Sequence, residues 1–164
     1  MSYLLDANVF IQAKNQYYGL DIVPAFWDWL VDANADGKVF SIEKVAQELL
    51  GYGDELSDWT RNRVRAGGFF LSPDVPVLDS LREVAKWAQA QPFTKAVVNE
   101  FFQAADYYLV AHAHAHGHTA VTQEVYEPAS TRKIKIPNAC QALGVPWINT
   151  YAMLRAEGAR FVSS

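Results

Sequence analysis

Short apolar runs alternate with segments of helical period along this chain, and that alternation limits its fold more than any other feature. Tyr3-Leu4-Leu5, Val39-Phe40 and Thr119-Ala120-Val121-Thr122 are too short for helices and rich enough in β-formers for strands. Between the first two, Pro24 suits the first turn of a helix, Ile22, Phe26 and Leu30 recur every fourth residue, and Gly37 is a natural stop. Residues 42–50 read as a helix closed by Gly51, and residues 54–66 as another closed by Gly67-Gly68. Phe69-Phe70-Leu71 is apolar but too short to assign. Leu78, Leu81, Ala85 and Ala88 share one helical face, as do Val98, Phe101 or Phe102, and Ala105. Asp106 opens or continues a helix that runs to Gly117. The tail offers a helix over residues 138–143, the run Val145-Pro146-Trp147 and a last helix near residues 150–157. Strands alternating with helices predict an α/β architecture with a mainly parallel central sheet.

A chain of 164 residues, 51% of them apolar, can fill one core, and no repeat, low-complexity tract or linker divides it, so one domain over 1–164 is expected. Cys140 stands alone, which rules out an intrachain disulfide and points to a reducing, cytoplasmic compartment. No apolar run approaches the roughly eighteen residues of a membrane helix, and Asp6 interrupts the apolar stretch near the N-terminus. Net charge is −4, with 18 acids against 14 bases, which disfavours a broadly basic nucleic-acid binder. Contact with nucleic acid would then run through a local patch or a bound metal.

Ligands of parallel α/β sheets bind at the carboxyl ends of the strands. Asp6 follows the first strand, and Glu124 lies just past Val121-Thr122. Glu48 and Asp106 fall in helical segments otherwise rich in apolar residues, where a buried carboxylate needs a partner. Any one of these acids alone reads most simply as a surface group or half of an ion pair. Four together suggest a cluster, and carboxylates that gather repel unless a hard divalent cation such as Mg²⁺ or Mn²⁺ sits between them.

The same residues carry a family resemblance. Leu4-Leu5-Asp6-Ala7-Asn8-Val9-Phe10-Ile11 resembles the opening strand of PIN-domain ribonucleases, and Val45-Ala46-Gln47-Glu48-Leu49 resembles their second motif. Ala104-Ala105-Asp106-Tyr107-Tyr108-Leu109-Val110-Ala111 is similar to the third, and Ala120-Val121-Thr122-Gln123-Glu124 to the fourth, with Glu where Asp is commoner. Glu48 follows Asp6 by 42 residues, Asp106 follows Glu48 by 58, and Glu124 follows Asp106 by 18, in the family's order. The stretches Asn15-Gln16-Tyr17-Tyr18 and Phe26-Trp27-Asp28-Trp29-Leu30 resemble a branch catalogued as a domain of unknown function. The resemblance implies a PIN-like three-layer α/β/α sandwich and a Mg²⁺- or Mn²⁺-dependent endoribonuclease acting on RNA, most often the toxin of a toxin–antitoxin pair. It implies Asp6 and Asp106 as direct metal ligands, Glu48 as ligand or water-orienting group, and Glu124 as an outer ligand. Asn8 and Thr122 would hydrogen-bond the carboxylates. Removing those four acids from a net charge of −4 leaves the rest of the chain neutral. An antitoxin protein is the implied partner, with room for a homodimer; the alternative is a catalytically inactive PIN-fold module that binds RNA or protein.

Other constellations read more plainly. His112, His114, His116 and His118 would share a face on a strand, but the preceding pattern is helical, Gly117 reads as its C-cap, and no ligand-spaced acid or Cys is near, so they are expected to be structural. Arg132, Lys133 and Lys135 form a basic cluster after Glu124 that could contact RNA, whereas Arg61, Arg63 and Arg65 read as solvated surface. Trp27, Trp59 and Trp87 suggest core, Trp29 an exposed partner anchor, and Cys140 a buried small hydrophobe. A haloacid-dehalogenase-type phosphatase needs a second Asp two residues after the first, and Asn8 stands there. Gly-rich phosphate loops are absent as well.

Overall fold

A computed structural model describes residues 2–163. Its centre is a five-stranded sheet in the order β3-β2-β1-β4-β5, every pairing parallel. The strands are β1 (Tyr3–Leu5), β2 (Val39–Ile42), β3 (Phe70–Leu71), β4 (Thr119–Val121) and β5 (Trp147–Ile148). Around them run α1 (Ala7–Gln12), α2 (Pro24–Ala35), α3 (Glu43–Leu50), α4 (Glu55–Ala66), α5 (Val75–Ala90), α6 (Lys95–Gln103), α7 (Ala105–His116), α8 (Ile136–Leu143) and α9 (Thr150–Ala156), with a π-helical turn over Ala13–Tyr17 extending α1. The expected α/β class is therefore met, with a sheet wholly rather than mainly parallel. Residues of β1 are buried throughout, as a parallel strand covered on both faces must be.

β1 pairs with β2 on one side and β4 on the other, so the chain order reverses between β1 and β4. That reversal opens a crevice at the carboxyl ends of these two strands, the place where parallel sheets bind their ligands. The backbone N–H of Asp6 still donates to the Val121 carbonyl at 3.0 Å, which ties the first residue after β1 to the end of β4. Ser41 closes the other flank, its hydroxyl donating to the Leu5 carbonyl at 2.6 Å.

Several helix faces differ from those the apolar spacing suggests. Ile22 lies before α2 in a turn and is 79% exposed, because Pro24 starts the helix at its first position. The core face of α5 is Val77, Ser80, Val84 and Ala88, while Leu78 is 48% exposed. A hydroxyl causes this rotation: Ser80 is buried and hydrogen-bonds His114 Nδ1 at 2.7 Å, so a polar residue occupies the inner face. Ala105 belongs to α7 rather than α6, since Ala104 at ψ 153° breaks the helix between them. Trp29 packs half-buried against the core instead of standing exposed. Phe10 lies at the centre of an aromatic nest, with ring centroids 5.8 Å from Trp59, 6.2 Å from Phe69 and 6.5 Å from Trp27.

Candidate metal centre

Asp6 is the residue at which β1 becomes α1. Its extended backbone (ψ 154°) suits a helix N-cap, yet its carboxylate makes no capping hydrogen bond and turns instead toward Thr122, whose hydroxyl donates to Oδ2 at 3.0 Å. Asp6 is only 3% exposed. Burial, then the charge of Asp106, then that of Glu124 push its carboxyl up to about 8. Asp106 stands in the first turn of α7, where a helix N-terminus favours an anion. Burial and the charge of Glu124, reinforced by Glu48 and opposed by Lys133, nevertheless raise it to about 6. Two carboxyls held above their ordinary range by burial and by neighbouring acids mark a crowded anionic site.

The remaining acids are arranged differently. Glu48 lies on the exposed side of α3 rather than on a buried face, and borders a cleft of about 660 Å³ with Asp6, Asn8, Asp106 and Lys133. Glu124 stays outside that lining. Its Oε1 accepts from the Ile136 backbone N–H at 3.2 Å, at the start of α8, and its Oε2 accepts from Lys133 Nζ at 3.0 Å. Lys133 reaches across to Asp106 as well, at 3.8 Å. Of the two expected supports, Thr122 holds Asp6 and also accepts from the Glu124 N–H at 3.1 Å. The Asn8 amide makes no hydrogen bond among the described residues and sits exposed at the mouth of the cleft.

Glu100 and Gln103 of α6 and Lys44 and Gln47 of α3 complete the rim, and none of them stands out in the sequence. The signal was faint: Asn99, Glu100 and Gln103 form the polar side of a helix whose other side carries Val98 and Phe101. Within the basic cluster, Lys133 is committed to Glu124 and Asp106, Lys135 pairs with Glu127 at 3.3 Å, and Arg132 is exposed with no ion pair among the described residues. On the surface of α4, Arg61 pairs with Asp58 at 2.9 Å.

The donor chemistry suits a hard divalent cation: carboxylate oxygens, crowded and short of positive charge. In the positions they take, no three His, Cys, Asp or Glu side chains among the described residues converge closely enough to hold an ion. The Lys133 ammonium lies between Asp106 and Glu124 as the local counter-charge. Cys140 is buried, its thiol pushed by burial up to about 12, so it is inert as a nucleophile. No helix among the described residues is long and apolar enough to cross a membrane.

An all-parallel five-stranded sheet flanked by helices is a PIN-like α/β fold. It is shared by a solved structure described as VapBC2 from Rickettsia felis bound to a DNA fragment from their promoter, with a TM-score of 0.51 over 91% of this chain and 98% of that one, at 14% identity. The chain belongs to the family described as Domain of unknown function (DUF4411), which matches residues 3–161. No curated protein matches it in sequence.

Proposed function

We propose that the chain is a divalent-metal-dependent endoribonuclease, acting in the cytoplasm as the toxin of a toxin–antitoxin pair. One observation carries the reading: at the switch point of the sheet, burial and the charge of neighbouring acids raise Asp6 to about 8 and Asp106 to about 6. Folding such a pair is costly, and a divalent cation would offset the cost. Asp6, Asp106 and Glu48 would hold Mg²⁺ or Mn²⁺, with Glu124 as the outer partner. Bound there, the ion would acidify a water and neutralise charge on the phosphate under attack. Thr122 fixes one oxygen of Asp6, whose side chain borders the cleft. Lys133 would meet the scissile phosphate, and Arg132 and Lys135 a flanking one. The fold relative, described on DNA from its own promoter, supports an antitoxin partner for a chain of this shape.

A second reading draws on the same lysine. With Lys133 already paired to Asp106 and Glu124, the site is partly neutralised, as it would be in a PIN-fold module that binds without cleaving. Cleavage of mixed-sequence RNA in Mn²⁺, Mg²⁺ and EDTA separates the two readings. Metal-dependent hydrolysis that disappears in Asp106→Asn supports the nuclease, whereas wild-type protein that binds RNA yet never cuts it supports the module.

A further inference from the structure

A second pocket of about 330 Å³ is lined in part by Ser130 and Thr131 of the loop that carries Lys133. Its walls are aromatic: Trp87 from α5, Phe93 just beyond it with its ring centroid 6.3 Å from Trp87, and Tyr126 from the loop after β4, still 39% exposed. Its polar groups are all uncharged, and they divide into used and unused. Asn138 is spent on the loop, donating to the Glu127 carbonyl at 2.7 Å and accepting from the Glu127 N–H at 3.1 Å. Gln91 and Gln141 also line the pocket, and their side-chain amides make no hydrogen bond among the described residues. Flat apolar walls with free amides and no charge suit a planar, uncharged heteroaromatic ring with hydrogen-bonding edges. They suit neither a phosphate nor a peptide side chain of either sign.

The chain ties this pocket to the acidic cleft. Thr131 borders the pocket and Lys133 borders the cleft, so the two are two positions apart with one residue between them, at most about 7 Å of backbone. Arg132, exposed and without an ion pair among the described residues, lies between them. Ser130 braces the span, its hydroxyl donating to the Lys133 carbonyl at 2.9 Å. A nucleotide with its phosphate at Arg132 would thus have its base beside the second pocket.

We propose that the pocket formed by Trp87, Phe93, Tyr126, Gln91 and Gln141 holds one unpaired base of the RNA next to the phosphate being cut, and sets the base preference of cleavage. The proposal rests on the ribonuclease reading for its substrate class. Stacking on Tyr126 and Trp87 supplies base affinity of any kind, and the glutamine amides choose among edges, as single-stranded RNA is commonly read.

The test uses fluorescein-labelled tetraribonucleotides of A, C and U, titrated by anisotropy in EDTA, beside cut-site mapping on mixed-sequence RNA in Mg²⁺ and Mn²⁺. Tyr126 and Gln141 are exposed, so Tyr126→Ala and Gln141→Ala are expected to keep the fold, which circular dichroism checks. Wild type is expected to prefer one of the three oligonucleotides, Tyr126→Ala to weaken that complex about tenfold, and Gln141→Ala to flatten the preference. Equal affinities in the wild type, or a Tyr126→Ala variant that binds as well as wild type, overturn the subsite. If RNA is hydrolysed but neither variant alters affinity or cut-site preference, the subsite falls and the ribonuclease reading stands. If binding responds as expected and no RNA is cut in either metal, the subsite stands and the ribonuclease reading falls. Loss of binding to a protein partner with RNA binding unchanged also refutes the subsite and gives the pocket to that partner.

Discussion

The two ends of α7 gather titratable side chains in opposite ways. At its N-terminus, Asp106 faces Asp6, Glu48 and Glu124 with Lys133 as the cation in contact, and two of the acids are raised well above their ordinary range. At its C-terminus three of the four histidines have a polar partner among the described residues. His114 meets Ser80 at 2.7 Å, His118 meets Ser2 at 2.6 Å, His116 Nε2 meets Asp74 at 2.8 Å, and His112 is buried and neutral. A sequence displays the second group far more loudly, as four histidines in alternation. The difference teaches that conspicuous spacing need not mean unmet chemistry: most of the alternating histidines have partners, whereas acids far apart in sequence are the ones gathered without enough compensating charge.

The sharpest way to break the contrast is to neutralise each end in turn and measure RNA hydrolysis. Asp6→Asn and Asp106→Asn are each expected to lower metal-dependent cleavage by at least about 100-fold, the upper range for losing a group that merely supports a ligand. The double variant His114→Gln, His118→Gln is expected to keep wild-type metal dependence. A zinc or manganese equivalent lost from that double variant in elemental analysis would move the metal centre to the wrong end of the helix.

Acidity separates the ends by sign. The folded pKa of Asp6 is raised above its unfolded value of 3.8 to about 8, so the fold favours the protonated form. That contribution is fully present below about pH 4 and is lost as pH rises toward about 8. His112 does the reverse. Burial, eased by Asp74 and Glu43 and reinforced by His116 and His118, takes it from 6.5 down to about 4, so its contribution is present above pH 6.5 and lost as pH falls through about 4. Melting curves in EDTA should show Asp6→Asn gaining on wild type as pH rises across its window, and His112→Gln gaining as pH falls across the other. Parallel curves for wild type and Asp6→Asn would mean that Asp6 is not crowded.

The sheet and most helices were legible because their signals are local: Pro24 at a helix start, positive-φ Gly117 (φ 71°) at a helix end, and Leu5 meeting Asp6 at a strand end. The ordered acids were legible for the same reason. Glu100 was not, because it reaches the cleft from α6 and no spacing rule links it to Asp6, and Lys133 was legible as a basic residue near the site but not as the partner of Asp106 and Glu124. The rotated face of α5 was hidden by a single hydroxyl, since hydrophobic patterning treats Ser80 as an outward residue although His114 keeps it buried. Glu124 was found but its surroundings were not: its bond to the Ile136 N–H depends on a turn of chain that brings α8 back toward β4.

A smaller effect sharpens the picture of crowding. Asp106→Asn removes one charge at nearly constant volume, and relief from Glu124 and Glu48 outweighs the lost contact with Lys133. The variant is expected to be more stable than wild type in EDTA by about 1 kcal/mol, which is about 2–4 °C in melting temperature for a domain of this size. Millimolar Mg²⁺ binds the folded site and not the unfolded chain, so it should raise the wild-type melting temperature and raise that of the variant much less. A variant that melts below wild type in EDTA and responds fully to Mg²⁺ would remove the physical basis of the metal centre.

The smallest effect concerns the acid that bridges both kinds of behaviour. Glu124 belongs electrostatically to the crowded end, since its charge raises Asp6 and Asp106, but its own oxygens are satisfied by Lys133 and the Ile136 N–H. Replacing it by Gln keeps an acceptor for the start of α8, gives up the ion pair with Lys133 and relieves both aspartates. These opposing changes should nearly cancel, leaving stability within about 0.5 kcal/mol of wild type, as for substitutions that spare a cap. Glu124→Ala loses the acceptor too and should cost about 1 kcal/mol, the ordinary loss of a helix-capping group. Urea denaturation of the two variants at neutral pH in EDTA measures the gap. A Gln variant as unstable as the Ala variant would show that the Lys133 ion pair holds Glu124 in place and the backbone bond to α8 contributes little, moving Glu124 from the satisfied side of the comparison to the crowded one.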